Sequence, residues 1–158
     1  MAAATSVKLV IPSEIRLVDL VHTVAEKLAE LVGLDEEEGL NAALAVREAS
    51  INAIVHGNRS DPALDVEVTL VASASGLEAR VVDRGRGFDP VATPDPTAGE
   101  NRLKTSGRGL LLIRAFVDDV KFRYLEGRGM EVTLIKIHRL PRGAGEDRSY
   151  GPAVPRRT

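Results

Sequence analysis

Cysteine is absent from this sequence, so neither a disulfide nor a thiolate metal site can form. Its three histidines, His22, His56 and His138, are scattered and make no zinc-ligand spacing. There is almost no net charge: a balance of −2 argues against general attraction to nucleic acid or to a membrane surface. No apolar run approaches the roughly 18 residues that cross a bilayer, and the start, MAAATSVKLV, has no basic segment followed by a long apolar one. The expectation is a cytoplasmic protein with no direct nucleic-acid or membrane partner. What is present is an ordinary globular composition, over 158 residues that suffice for one domain with a proper core and are too few for two.

The most informative segment is LNAALAVREASINAIVHGN (Leu40 to Asn58), an apolar helix interrupted by Glu48, Asn52 and His56. Side chains four apart share a helical face, so the carboxylate of Glu48 and the amide of Asn52 project together. A buried carboxylate without compensation is costly. The pair is therefore either salt-bridged within a core or lines a site. His56 lies at the helix end beside Gly57, where closing the helix and hydrogen bonding to the neighbouring loop account for it.

Around that helix the chain reads as follows. VKLVI (Val7 to Ile11) predicts a strand stopped by Pro12, with Ser13 as the N-cap of a helix carrying Ile15, Leu17, Val18, Val21, Val24, Ala25 and Leu28. That helix ends near Gly33. DEEEG (Asp35 to Gly39) places acids at the start of the second helix, and Gly57 is expected to close it as a C′ residue. DVEVTLV (Asp65 to Val71) and LEARVVD (Leu77 to Asp83) form one hairpin across SASG. VKFRYL and MEVTLIKI form another across EGRG (Glu126 to Gly129). Between the hairpins, Asp89 to Ser106 holds Pro90, Pro94 and Pro96 without periodicity, the mark of a lid, a binding loop or a disordered stretch. Leu110 to Val120 then predicts a third helix. Residues 7–140 make the domain, and the Gly-, Pro- and Arg-rich residues 141–158 a disordered tail. The element order predicts an α/β two-layer sandwich, a mixed and mostly antiparallel sheet covered on one face by helices.

Two glycine motifs carry chemistry. VVDRGRGFD (Val81 to Asp89) sets Asp83 at a strand end before Gly85 and Gly87, either as a tight turn or to let backbone approach a flat ligand. SGRGLLLIRAF (Ser106 to Phe116) opens a helix with glycines, whose exposed N–H groups suit an anion. Neither the P-loop pattern nor the GxGxxG dinucleotide pattern is present.

The order of these motifs, Glu-xxx-Asn on a helix, DxGxG after a strand, a long loop, then GxG opening a helix, resembles the GHKL ATPases with their Bergerat nucleotide fold. Within them EASINAIVHGN and SGRGLLLIRAFVDDV resemble the anti-sigma-factor serine kinases. The resemblance spans roughly Val7 to Ile137. It implies that Asn52 holds Mg2+, that Asp83 accepts the adenine amino group of ATP, and that Glu48 positions or deprotonates the attacking serine hydroxyl. It further implies that Gly85 and Gly87 line the base and ribose, that Gly107, Arg108 and Gly109 embrace the phosphates, that Phe88 and Leu110 belong to the same nucleotide site, and that Lys104 and Arg108 neutralise phosphate charge. Arg16 falls near a family arginine used in partner contact.

The implied activity is transfer of the γ-phosphate of Mg-ATP to a serine of an anti-sigma-factor antagonist (STAS) domain, with a sigma factor as the second partner and a homodimer as the possible assembly. The alternative is an ATP-binding anti-sigma-like switch without phosphotransfer. One residue departs from the family pattern. Where many members have Gly-Thr, with the threonine holding the adenine-binding carboxylate, this chain has Gly129-Met130. A methionine side chain cannot donate that hydrogen bond, and Thr133, three positions along, points to the opposite face. The expectation is a weakened ATP affinity, or a water in place of the hydroxyl.

Overall fold

The computed structural model describes residues 3–85 and 105–139. In chain order the elements are β1 (Thr5–Pro12), a 3-10 turn (Ile15–Leu17), α1 (Val18–Leu31), α2 (Glu36–Asn52) continued by a π-helical turn (Ala53–Gly57), β2 (Asp65–Ser73), β3 (Gly76–Val82), α3 (Thr105–Phe116), β4 (Asp119–Leu125) and β5 (Gly129–Ile137). The strands form one five-stranded sheet in the order β1-β2-β3-β5-β4. A mixed and mostly antiparallel sheet was the expectation, and every pairing among the described strands is antiparallel. No helix among the described residues is long and apolar enough to cross a membrane.

Period-two patterning builds the sheet. In β2 the side chains of Val66, Val68, Leu70 and Ala72 are buried, while Glu67, Thr69 and Val71 alternate with them on the other face. The register carries that burial across the sheet: Leu9 stands beside Val68, Val68 beside Val81, Val81 beside Val132 and Val132 beside Phe122. A parallel row runs Val7, Leu70, Ala79, Leu134, Val120. The opposite face carries Lys8, Thr69, Arg80, Thr133 and Lys121 in one row, so Thr133 does face away from Met130's neighbours in the core. Helices α1 and α2 pack on each other and on the strands, and α3 packs on α2.

Helix α2 is almost sheathed by the fold. Its buried positions are Gly39, Ala42, Ala43, Ala45, Val46, Ala49 and Ser50, small residues that let α1, α3 and the sheet approach from different sides. Asp35 caps it, accepting from Glu38 N at 2.8 Å, and Glu36, Glu37 and Glu38 occupy the first turn, as the acidic start predicts.

Several expectations are corrected. Ser13 does not cap a helix: its hydroxyl donates to Leu64 O at 2.6 Å, and Glu14 stands at the cap position without a side-chain bond. The first α-helix begins only at Val18, after the 3-10 turn, and leaves Ile15 47% exposed. Helix α3 begins five residues before Leu110 and stops at Phe116, because Asp118 already joins β5 through its N–H to Ile135 O at 2.8 Å. Gly57 is not a left-handed cap, since among the described residues the positive-φ glycines are Gly33, Gly76, Gly127 and Gly129. The expected tail of residues 141–158 and most of the Asp89 to Ser106 loop lie outside the described residues.

Candidate functional site

The last turns of α2 carry the polar stripe. Glu48 and Asn52 are both half-buried on one face, one turn apart, and among the described residues Glu48 makes no ion pair. Among the described residues the core-salt-bridge explanation of the pair has no partner. The carboxylate of Glu48 instead lies against the first turn of α3, so close to Gly109 that a Cβ there would overlap Oε1. Glycine at 109 gives up helix propensity, about 1 kcal/mol relative to alanine, and makes room for that carboxylate. Past Asn52 the helix widens into the π-helical turn, closed by Asn58 N donating to Ala53 O at 2.8 Å. Such bulges recur where a helix must re-aim its end. His56 is exposed on this turn and makes no hydrogen bond among the described residues, so the loop contact expected of it is not found.

The widened turn delivers Gly57 to Asp83. This aspartate is 6% exposed at the end of β3. Its Oδ1 accepts from Gly85 N at 3.0 Å and from Met130 N at 3.1 Å, while its own N–H donates to Met130 O at 3.0 Å. Its Oδ2 lies against Gly57, where a Cβ would overlap it, and accepts no hydrogen bond among the described residues. One oxygen is thus occupied by backbone and the other left as an acceptor. Burial raises the Asp83 carboxyl above the usual carboxylate range, and the Met130 and Gly85 amides only partly offset it.

Met130 answers the departure seen in the sequence. Its side chain is buried, and it is the backbone N–H at this position that donates to the carboxylate. A hydroxyl is dispensable for that bond. Gly129, at φ +117 and packed on Asp83 O, brings the strand close enough.

The other predicted residues divide. Gly85 stands in the Asp83 turn; Gly107, Arg108, Gly109 and Leu110 lie in the first half of α3, with Gly109 buried and Arg108 exposed. Gly107 and Gly109 sit within the helix instead of ahead of it. Gly87, Phe88 and Lys104 lie outside the described residues. Arg16 is exposed, remote in sequence from these groups, and paired with Glu14 Oε2 at 2.6 Å. Two clusters therefore converge on α2: Glu48 with Gly109 at one level, and Asp83 with Gly57, Gly85 and Met130 further along. Gly57 lies nine positions after Glu48, on the order of 13 Å if the α-helical rise held throughout.

The profile of the histidine kinase-like ATPase domain matches residues 11–136. The chain is 27% identical over 133 residues to serine-protein kinase RsbW of Listeria monocytogenes serovar 1/2a, covering 80% of this chain and 85% of that one. It is 30% identical over 122 residues to the anti-sigma F factor of Anoxybacillus flavithermus, covering 72% and 79%. The chain belongs to the histidine kinase-like ATPase family, in its anti-sigma serine kinase group. A further relative, serine-protein kinase RsbW of Bacillus velezensis, is 26% identical over 133 residues, covering 80% and 83%.

Membership in this ATPase family gives the clusters a common frame, and it also marks what the sequence concealed. Gly57 looked like a helix stop, whereas its hydrogen is what the Asp83 carboxylate packs against. No side-chain motif could reveal the Met130 amide, because every residue but proline carries one. Gly57→Ala is expected to lower stability by about 1–3 kcal/mol, since the new methyl must push Asp83 Oδ2 aside. Thermal melting of the ATPase domain beside wild type checks this, and an unchanged midpoint would show that Asp83 has room to move.

Proposed function

We propose that this protein is an anti-sigma-type serine kinase: it binds Mg-ATP across α2 and transfers the γ-phosphate to a serine of an antagonist protein of the STAS type. The observation that carries the reading is the divided coordination of Asp83, with Oδ1 held by the Gly85 and Met130 amides and Oδ2 beside a glycine with no donor among the described residues. An acceptor fixed in this way suits an exocyclic amino group such as adenine's, and flanking glycines suit a flat ring. The triphosphate then runs along α2 toward Asn52, Glu48 and the first turn of α3.

Mg2+ fits the residues at that end. Among the described residues no cluster of three His, Cys, Asp or Glu could hold a metal unaided. Asn52 offers a neutral amide oxygen, the kind of ligand Mg2+ accepts alongside phosphate oxygens and water. When bound, the ion neutralises phosphate charge. Asn52 would hold the ion, Arg108 on the exposed side of α3 would contribute positive charge toward the phosphates, and Glu48 would accept the proton from the incoming serine hydroxyl. The serine oxygen forms a bond to the γ-phosphorus, the bond from that phosphorus to the β,γ-bridging oxygen breaks, and ADP leaves.

Sequestration of a sigma factor belongs to the same reading, because relatives bear the names of both a serine-protein kinase and an anti-sigma factor. Arg16, exposed at the start of the α1 region and paired with Glu14, is the proposed contact for such a partner, and a homodimer is the proposed assembly. The deciding experiment incubates the protein with Mg-ATP labelled at the γ-phosphate and each STAS-domain protein of the same genome, with Glu48→Ala beside it. Labelled phosphoserine on one of them, lost with the variant, is the expected outcome. ATP binding without transfer to any of them would leave a nucleotide-dependent anti-sigma switch. Absence of ATP binding would end both.

A further inference from the structure

Asn58 follows the π-helical turn and closes the EASINAIVHGN segment without a role assigned to it, yet among the described residues it is the most connected buried side chain near the site. Its carboxamide is 2% exposed. Nδ2 donates to Ser13 Oγ at 2.9 Å and to Asp65 O at 3.0 Å, with Leu64 O at 3.3 Å sharing the same hydrogens. Oδ1 accepts from Arg84 N at 2.7 Å. The orientation of the amide is fixed by its partners: carbonyl oxygens can only accept, a backbone N–H can only donate, and the Ser13 hydroxyl spends its own proton on Leu64 O.

One side chain thereby ties together the β1–α1 junction, the start of β2 and the residue that follows Asp83. Asp83 itself sits between two anchors. Met130 holds its backbone and carboxylate on one side through two bonds. On the other side the chain turns from Asp83 through Arg84 to Gly85, and the amide of Arg84 in the middle of that turn is held by Asn58. Asn58 also adjoins Gly57, which packs on Oδ2, so both the turn and the surface facing Oδ2 depend on it.

We infer that Asn58 is the positioning residue for the Asp83 carboxylate: it fixes the turn through Arg84 N and so sets where the free oxygen points, which makes it a determinant of adenine over guanine. This rests on the nucleotide reading of the site. Without the carboxamide, the part-buried Arg84 amide loses its acceptor, the turn relaxes toward another partner, and Oδ2 shifts from the amino group it should meet.

The test measures ATP and GTP dissociation constants for wild type, Asn58→Ala, Asn58→Asp and Ser13→Ala, together with amide hydrogen exchange at Gly85 and Met130 without nucleotide. The ratio of the two constants cancels any loss of folded protein, so it separates positioning from general destabilisation. Asn58→Ala is expected to narrow the preference for ATP by about tenfold and to speed exchange at Gly85. Asn58→Asp keeps an oxygen for Arg84 N and recovers most of the ratio, although it melts lower because that group faces Leu64 O and Asp65 O. Ser13→Ala lowers the melting temperature and leaves the ratio within about twofold, since the Arg84 bond survives. An unchanged ratio and unchanged exchange in Asn58→Ala overturn the inference, as does a ratio in Asn58→Asp no better than in the alanine variant. If wild type binds neither nucleotide, the reading of the site fails instead, and exchange at Gly85 alone decides for or against Asn58.

Discussion

Replacing Glu48 by glutamine is expected to slow phosphoryl transfer to a protein serine by about a thousandfold while ATP affinity stays within about threefold of wild type. Glutamine has the shape of glutamate and fits the same space over Gly109, so helix packing between α2 and α3 is retained. What disappears is the ability to take a proton. A serine hydroxyl is a poor nucleophile until its proton has somewhere to go, and among the described residues Glu48 is the carboxylate on this face of α2, one turn from Asn52. Single-turnover transfer from labelled ATP gives the rate, and calorimetry gives the affinity. Equal losses in both would make Glu48 a binding group; transfer at a near-normal rate would place the proton elsewhere.

Glu48 also shows why part of the site is legible in the sequence and part is not. Helical spacing alone puts it on the face of Asn52, because i and i+4 are neighbours whatever surrounds the helix. That Gly109 is what faces it follows only from how α3 packs on α2, sixty residues along the chain. Strand β2 announces itself through period two, since a sheet with one buried face must alternate, and β3 keeps that alternation in its burial. The limits of α3 do not announce themselves, because glycines at 107 and 109 read as preceding the helix when they lie in its opening turns, Gly109 making room there for Glu48. Ser13 and Asn58 are hidden for the same reason. Each bonds across forty or more residues, and a local rule for serine after proline sees only a cap.

The carboxylate at the other end of α2 supports a prediction with two opposite signs. Asp83→Asn is expected to lower ATP affinity by about a hundredfold and, without nucleotide, to raise the melting temperature at pH 7.5. The binding loss follows from the hydrogen bonds. Met130 N and Gly85 N demand an acceptor, so the amide oxygen takes the place of Oδ1 and the NH2 takes the place of Oδ2. A donor then faces the adenine amino group, which is itself a donor. The stability gain follows from burial. The folded-state carboxyl titrates above its ordinary value of 3.8 because desolvation outweighs the two amide bonds. A raised carboxyl contributes stability that is full below that ordinary value and is lost as pH rises through the folded value, so at neutral pH the ionised group is a burden that asparagine removes. Melting curves of both proteins from pH 4 to 8 should therefore diverge toward high pH and converge toward low pH, where wild type takes up the proton. A wild type that melts higher than the variant at pH 7.5 would mean that the charge on Asp83 is stabilised more by its amides than burial costs it. The same comparison read in ATP affinity would still report whether Oδ2 meets the base. A residue that weakens the empty fold and strengthens the loaded one is what a site kept for a ligand looks like in the energetics.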